Sequence, residues 1–400
     1  MKKGAGSLAL FGGNPAFTRP LSIGQRNFVG WDRVEHALRG IFSRRYYTNH
    51  GPLVQELEER LAGFFGVRHV LCMTNATIGL MIAAKALGLT GKVLVPSFGF
   101  PGTVQSLTWA GLEPIFCDID PVTHLITVAS AEQGITPEVS AILGVHLWGN
   151  ICHPGELARV ADEKGLRLYF DAAHAFGCSC NGVPAGQFGD MEIFSFHMDN
   201  MLNSLEGGCI STNDDNLAEI IRNIRSSYGI RKSMTVSVTG NGRMSEAQAA
   251  LALLSLEDFP RNRAANQERF ELYQKRLSVI DGIRLVCPSS ETQSNYQHVV
   301  AEIDEAAFGL SRTVLTSIIE AENVGSPLYP AGSIHHHEPY RTLYPGLQEA
   351  FHQTDKVSSR FLQLPTGKHV SGEDIQTLCD IITIAREQAG DIRALLKVKE

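Results

Sequence analysis

The sequence predicts an α/β fold: a large domain built on a mostly parallel sheet, followed by a smaller C-terminal α+β domain. Three observations carry this expectation. From residue 53 onward, segments with helical periodicity alternate with short apolar runs. Those runs are apolar at successive positions rather than alternate ones, as in parallel strands buried on both faces. Polar or turn-forming residues follow the runs, and in such sheets ligands bind at the carboxyl ends of the strands.

The elements follow in order. Leu53 to Phe65 is amphipathic at helical spacing and stops at Gly66. Val70–Met73 reads as a short buried strand, and Thr77–Leu87 returns to helix. Lys92–Pro96, Ile115–Asp118, Ala141–Val145 and Arg167–Asp171 continue the strand series. A tight turn at Glu206-Gly207-Gly208 leads into a strand at Cys209-Ile210-Ser211. After about residue 245 the pattern changes: Ser245–Leu256 and Asn262–Leu277 are helical, and a shorter α+β stretch follows. The expected domains are 1–250, with an N-terminal arm over 1–30, and 251–400, the boundary falling near 245–260.

Composition narrows the function classes. The 400 residues are 44% hydrophobic and 19% charged, with a net charge of -7. Acidic and basic residues are interspersed, so no nucleic-acid or membrane-surface stripe is expected. Met1-Lys2-Lys3 is followed by Gly-Ala-Gly-Ser rather than an apolar segment, so no signal peptide is read. No apolar run is long enough to span a bilayer. The eight cysteines are scattered, with Cys178 and Cys180 the one close pair. They read as free core thiols of a cytoplasmic protein.

Chemistry-bearing residues sit where the strands end. Thr74-Asn75-Ala76-Thr77 opens a helix, and free N–H groups at a helix N-terminus suit a phosphate, although Asn and Thr also make ordinary caps. Phe100, after the strand Lys92–Pro96, could stack on a flat cofactor or lie in the core. Asp171 ends an apolar strand and needs a partner, since an unpaired buried carboxylate is costly. A protonated pyridine nitrogen would satisfy it and make the ring an electron sink. His174 lies three residues on. Taken singly, either could be a cap or part of a structural ion pair. Ser195 and Asn241 are further polar groups available to phosphate.

Taken together these motifs resemble the DegT/DnrJ/StrS family of sugar aminotransferases, which have the fold-type I pyridoxal-phosphate architecture. The resemblance runs from Leu10-Phe11-Gly12-Gly13-Asn14-Pro15-Ala16 through Thr48-Asn49-His50-Gly51-Pro52-Leu53-Val54 and Val145-His146-Leu147-Trp148-Gly149-Asn150. It continues through Asp171-Ala172-Ala173-His174-Ala175-Phe176-Gly177 and Glu206-Gly207-Gly208 to Leu364-Pro365. It implies that backbone amides of Ala76 and Thr77, with the Thr77 hydroxyl, hold the cofactor phosphate. It likewise implies that Phe100 stacks on the ring, Asp171 pairs with the pyridine nitrogen, and His174 lies beside the ring hydroxyl where many members have Gln. Ser195 would bind phosphate, and Asn241 would reach the phosphate of the neighbouring subunit of a homodimer with shared sites. The implied substrate is a nucleotide-linked keto-sugar or cyclitol, in amino-sugar, polysaccharide or antibiotic biosynthesis.

One position departs from the family. Ser195-Phe196-His197 on one side and Glu206-Gly207-Gly208 on the other both place the Schiff-base lysine at Asn200, preceded by Asp199 where Thr is common. No lysine occurs between Lys164 and Lys232. An amide forms no imine with an aldehyde and is not basic near neutral pH, so it can neither hold the cofactor covalently nor shuttle its proton. Phosphate, stacking and Asp171 contacts remain, so pyridoxal or pyridoxamine 5'-phosphate is expected to bind non-covalently. Four readings follow: a transaminase altered at position 200; a lysine-less, pyridoxamine-phosphate-dependent dehydratase-like enzyme with His197 or His174 as base; a non-catalytic binding or regulatory protein; and rescue by Lys232, which more simply contacts substrate phosphate.

The run His335-His336-His337-Glu338 tempts a metal assignment. Adjacent histidines are expected to point different ways, and zinc sites use spaced ligands, so a surface or substrate-loop segment is expected and no metal site. Tyr329-Pro330 precedes it, where family members approach the sugar. Arg44-Arg45 with Tyr46-Tyr47 could meet an anionic nucleotide or form a solvated helix end. Trp109 and Trp148 read as core.

Overall fold

The computed structural model describes residue 2 and residues 4–226, 234–325 and 332–397. Lys232 and Tyr329-Pro330 therefore lie outside the described residues. The strands are β1 (His69–Met73), β2 (Lys92–Pro96), β3 (Glu113–Cys117), β4 (Val139–Val145), β5 (Arg167–Asp171), β6 (Ser179–Cys180), β7 (Val183–Pro184), β8 (Met191–Ser195), β9 (Gly208–Thr212), β10 (Ile283–Leu285), β11 (Thr292–Gln293), β12 (Val299–Ile303) and β13 (Phe361–Leu364).

Seven of them form one sheet in the order β1-β9-β8-β5-β4-β2-β3. β3, β2, β4, β5 and β8 pair in parallel, while β9 runs antiparallel to both its neighbours. This is the expected fold class, a mostly parallel seven-stranded sheet. β4 is buried at all but one position, which is what uninterrupted apolar runs require. β8 has no counterpart in the sequence reading. Its run Met191-Glu192-Ile193-Phe194 carries a buried acid, which breaks the apolar signature. Glu192 is reconciled to burial by the N–H groups of Gly186 and Phe188 and by His146 at 3.2 Å.

The helices obey local rules. Pro52–Phe65 starts with proline in its first turn and ends on Gly66, whose φ of 70° is open to glycine at little cost. The two helical patterns expected after residue 245 are one helix, Glu246–Leu277. Pro260 lies inside it, and the flanking turns stay helical through it. Ser245 and Gln248 close a capping box at its start.

A second layer is formed by the antiparallel sheet β10-β12-β13 and the C-terminal helices. Leu8, Phe17 and Leu21 of the N-terminal arm share its apolar cluster with Leu315, Leu362 and Ile382. Glu322 anchors the arm by accepting from the N–H groups of Ala9 and Ala16. Among the described residues, no helix is long and apolar enough to cross a membrane. Every cysteine except Cys287 is buried. Trp148 is buried, but Trp109 is 78% exposed, correcting the core expectation: it ends its helix on the solvent side. Arg44 closes the helix Trp31–Arg44, and Arg45, Tyr46 and Tyr47 are exposed, a solvated helix end.

A buried ion pair ties three elements together. Glu58 accepts from Arg225 Nη1 at 2.6 Å and the Cys72 N–H at 2.9 Å, and His50 Nε2 lies 2.7 Å from its other oxygen. Burial alone would raise the Glu58 pKa, but the Arg225 charge and His50 outweigh it and hold it at about 2. A carboxylate depressed in the folded state stabilises above its unfolded pKa of about 4.3 and loses that contribution as pH falls. Stability should therefore drop between pH values of about 4 and 2, and Glu58→Gln should remove that part of the pH profile. Denaturant titration should also show the variant about 3–5 kcal/mol less stable at neutral pH, because Arg225 is left buried and uncompensated. An unchanged acid profile would sink this assignment.

Candidate active site

The carboxyl ends of β1, β4, β5 and β8 surround a cavity of about 460 Å³. A hollow of about 560 Å³ around Arg68 and Asp215 is larger but lies open on the surface. The enclosed cavity is lined by Ala76, Thr77, Phe100, Asp171, His174, Ser195, His197 and Asn200, among others. Eight of the nine candidate residues thus converge from segments more than 120 residues apart. Asn241 is the exception. It is exposed and bridges Ser226 outside the cavity lining.

One wall is a helix N-terminus. Asn75 caps Ala76–Ala86 by accepting from the Ile78 N–H at 2.9 Å. The N–H groups of Ala76 and Thr77 belong to the first turn, which has no intrahelical acceptors. Such a terminus favours an anion. Gly208, at the start of β9, packs directly behind it. A Cβ there would lie 2.9 Å from the Ala76 nitrogen and 2.6 Å from the Phe194 oxygen, so only glycine allows the approach.

The floor is Asp171. Thr103 Oγ1 donates to one carboxylate oxygen at 2.6 Å and the Ala173 N–H to the other at 3.1 Å. Burial raises the Asp171 pKa, which these two hydrogen bonds and His146 only partly offset. Among the described residues the carboxylate thus has two donors, with the charge of His146 acting on it from beyond hydrogen-bond contact. Phe100 lines the cavity and is 45% exposed. Thr103 was not singled out in the sequence. It lies three residues after Phe100, which caps the helix Pro101–Trp109, and that spacing was the available signal.

Two buried imidazoles form the back wall. His174 stacks on Trp148, and its ring lies 4.3 Å from that of His298. Burial lowers the His174 pKa to about 4, and burial with His174 beside it drives that of His298 down too. Both are neutral near pH 7 and weak as bases. His298, at the entry to β12, was invisible in sequence because it is placed by a strand of the other layer. His197 is more exposed, with Nδ1 3.8 Å from Asp199 Oδ2.

Asn200 is buried and its amide is fixed at both ends. Nδ2 donates to the Ser195 carbonyl at 3.0 Å, and Oδ1 accepts from Gln297 Nε2 at 2.9 Å. Gln297 in turn accepts from the Met201 N–H, and its own carbonyl accepts from Gln25 of the N-terminal arm. Asn266 of the long helix donates to Gln25 at 2.7 Å. The described lining residues include no lysine.

The histidine run departs from expectation. His335 is buried rather than on a surface loop, and the rings of His335 and His336 lie 4.1 Å apart rather than diverging. The turn folds back against the end of β2, where Ile334 N–H donates to the Ser97 carbonyl and pulls His335 inward.

Comparison with known proteins gives a consistent result. The family model described as the DegT/DnrJ/EryC1/StrS aminotransferase family matches residues 32–383. A dTDP-4-amino-4,6-dideoxy-D-glucose transaminase of Shigella dysenteriae is 32% identical over 365 residues, 91% of this chain and 98% of that one. The structure of DesI solved in the presence of its TDP-sugar product superposes with a TM-score of 0.93 at 39% identity, covering 99% of this chain and 100% of that one. Helicobacter pylori PseC, an aminotransferase of pseudoaminic acid biosynthesis, shares the fold at a TM-score of 0.85 and 20% identity, over 92% of this chain and 100% of that one.

Proposed function

We propose, from the premise that this chain belongs to the DegT/DnrJ/EryC1/StrS aminotransferase family, that it binds pyridoxal or pyridoxamine 5'-phosphate without a covalent bond and acts on a nucleotide-linked keto-sugar. The observation that carries the non-covalent reading is Asn200. Its amide is locked between Ser195 and Gln297 where the sequence register puts the Schiff-base lysine.

The remaining residues suit the group. The N-terminus of Ala76–Ala86, with Thr77 and Ser195, offers donors to a phosphate. Asp171, a buried carboxylate in the lining, suits a protonated pyridine, and the aromatic ring of Phe100, also in the lining, suits its ring. Once bound, the cofactor supplies a reactive aldehyde or amine and an electron-withdrawing ring. Asp171 would keep the ring nitrogen protonated by pairing with its charge. His174 and His298, held neutral by burial, would orient polar groups by hydrogen bonding rather than take protons. That leaves His197, beside Asp199, as the imidazole in the lining best placed to exchange a proton with substrate.

A thymidine diphosphate sugar is the favoured substrate class, by likeness to the Shigella transaminase and DesI. A homodimer is favoured by the exposed aromatic side chains of Trp31 (67%) and Phe42 (65%) on one helix and by the outward position of Asn241.

The expected result is cofactor binding with no borohydride-fixable adduct in the natural chain, read by mass spectrometry of the reduced, digested protein. A fixed adduct at any lysine would overturn the non-covalent reading. Turnover of TDP-keto-sugars should appear when pyridoxamine phosphate is supplied. Binding without turnover would replace the enzymatic reading with that of a sugar- or cofactor-binding protein.

A further inference from the structure

We propose that His335, His336 and Asp355 form a binding site for a divalent transition-metal ion of the zinc class. The two histidines lie in the turn Ile334–His336, and Asp355 lies in the helix His352–Arg360. Asp355 Oδ1 is 3.0 Å from His336 Nε2 and 3.4 Å from His335 Nε2, and the three candidate ligand atoms lie within 4.8 Å of one another. Tetrahedral ligands at zinc distances of roughly 2.0–2.1 Å sit roughly 3.3 Å apart. Two of the three edges are therefore already near coordination spacing. The third closes by a small approach of two rings that are adjacent in sequence.

A separate observation points to a ligand. His335 Nε2 is fully buried and, among the described residues, makes no hydrogen bond, yet it lies 3.4 Å from Asp355 Oδ1. Buried polar nitrogens are normally satisfied, and an ion at this point would satisfy it. The other ring nitrogens are held as metal ligands require. His335 Nδ1 pairs with Ser97 Oγ at 2.6 Å. His336 Nδ1 lies 2.9 Å from Gln348 Oε1, and Gln348 Nε2 donates back to the His335 carbonyl, fixing which end of that amide faces the ring. His336 Nδ1 is thus the donor, leaving Nε2 for an ion.

Two imidazoles and a carboxylate suit zinc, iron(II) or nickel rather than calcium or magnesium. His335 lies two residues from Ser333, which bridges Phe98 on the loop that carries Phe100. An ion there would staple the C-terminal segment to the wall of the cavity. Ser333 Oγ, which donates to Asp355 Oδ1 at 2.7 Å, orients the carboxylate toward the rings.

The test uses the full chain, stripped with chelator and titrated with zinc chloride by calorimetry and with cobalt(II) by visible absorption. One ion per chain is expected. His336→Ala and Asp355→Asn should each weaken binding at least tenfold, while His352→Ala, exposed on the same helix, should leave it unchanged. Zinc should raise the thermal midpoint of the natural chain and not of the first two variants. Equal zinc binding in the natural chain and both variants would overturn the proposal. So would absence of saturable binding. Should either variant fail to fold, X-ray absorption of the zinc-loaded natural chain decides: two imidazoles at the ion support the site, and none refutes it.

Discussion

Lysine at position 200 is expected to turn a chain that leaves no borohydride-fixable adduct into one that is modified at that position when pyridoxal phosphate is added. The lysine nitrogen stands two bonds beyond the amide nitrogen of Asn200, long enough to leave the Ser195 carbonyl and enter the cavity. The remainder of the site needs no change, because Asp171, Ser195 and the Ala76 helix already line it. The exchange has a cost. Gln297 Nε2 would lose the acceptor it has at 2.9 Å, in a side chain buried completely. A buried donor left unmade costs about 1–3 kcal/mol. Asn200→Lys should therefore be less stable than the natural chain by that order without cofactor, and recover on adding it. Peptide mapping after reduction reads the first effect and denaturant titration the second. An adduct found elsewhere, or none, would show that position 200 does not face the cofactor.

Asp171→Asn is expected to act with opposite signs on affinity and stability. The amide keeps an acceptor for Thr103 but brings no charge to a pyridinium. Losing a charge-assisted hydrogen bond of about 1.5–3 kcal/mol weakens cofactor binding by roughly 10- to 150-fold. The cofactor-free protein should not be destabilised above pH about 4. The raised pKa of Asp171 means that the folded state holds its proton more tightly than the unfolded state. Ionising it as pH rises therefore costs stability, and the amide escapes that cost. Fluorescence titration with pyridoxal phosphate and urea unfolding on the same samples separate the two. Unchanged affinity would remove Asp171 from the ring nitrogen.

Much of this was legible in the sequence because it is local. Continuous apolar runs announce a parallel sheet, and the residues just after them fall at its carboxyl edge. That is why Ala76, Phe100, Asp171 and Ser195 could be named and do meet in one cavity. What escaped depends on contacts distant in sequence. Gln297 and His298 reach the site from another layer, so no spacing around Asn200 announces them. β8 was hidden by Glu192, whose partners come from the loop before it and from His146. The His335 turn was misjudged because adjacent side chains were assumed to diverge. The backbone there is instead bent against the Ser97 carbonyl.

The amide clasp around Asn200 also sets a schedule. Its members are Gln25, Asn200, Asn266 and Gln297, and the cavity lining runs from Asn75 to His298. A ribosome releases roughly 5–20 residues per second, and domains fold as their segments emerge. The end of the pocket at the Ala76 helix can form early, once β9 has paired with β1. The back wall waits for about three-quarters of the chain. Cofactor capture therefore belongs to the close of synthesis. A nascent chain arrested before Gln297 would carry the open N-terminus of the Ala76 helix without the wall that makes it a pocket.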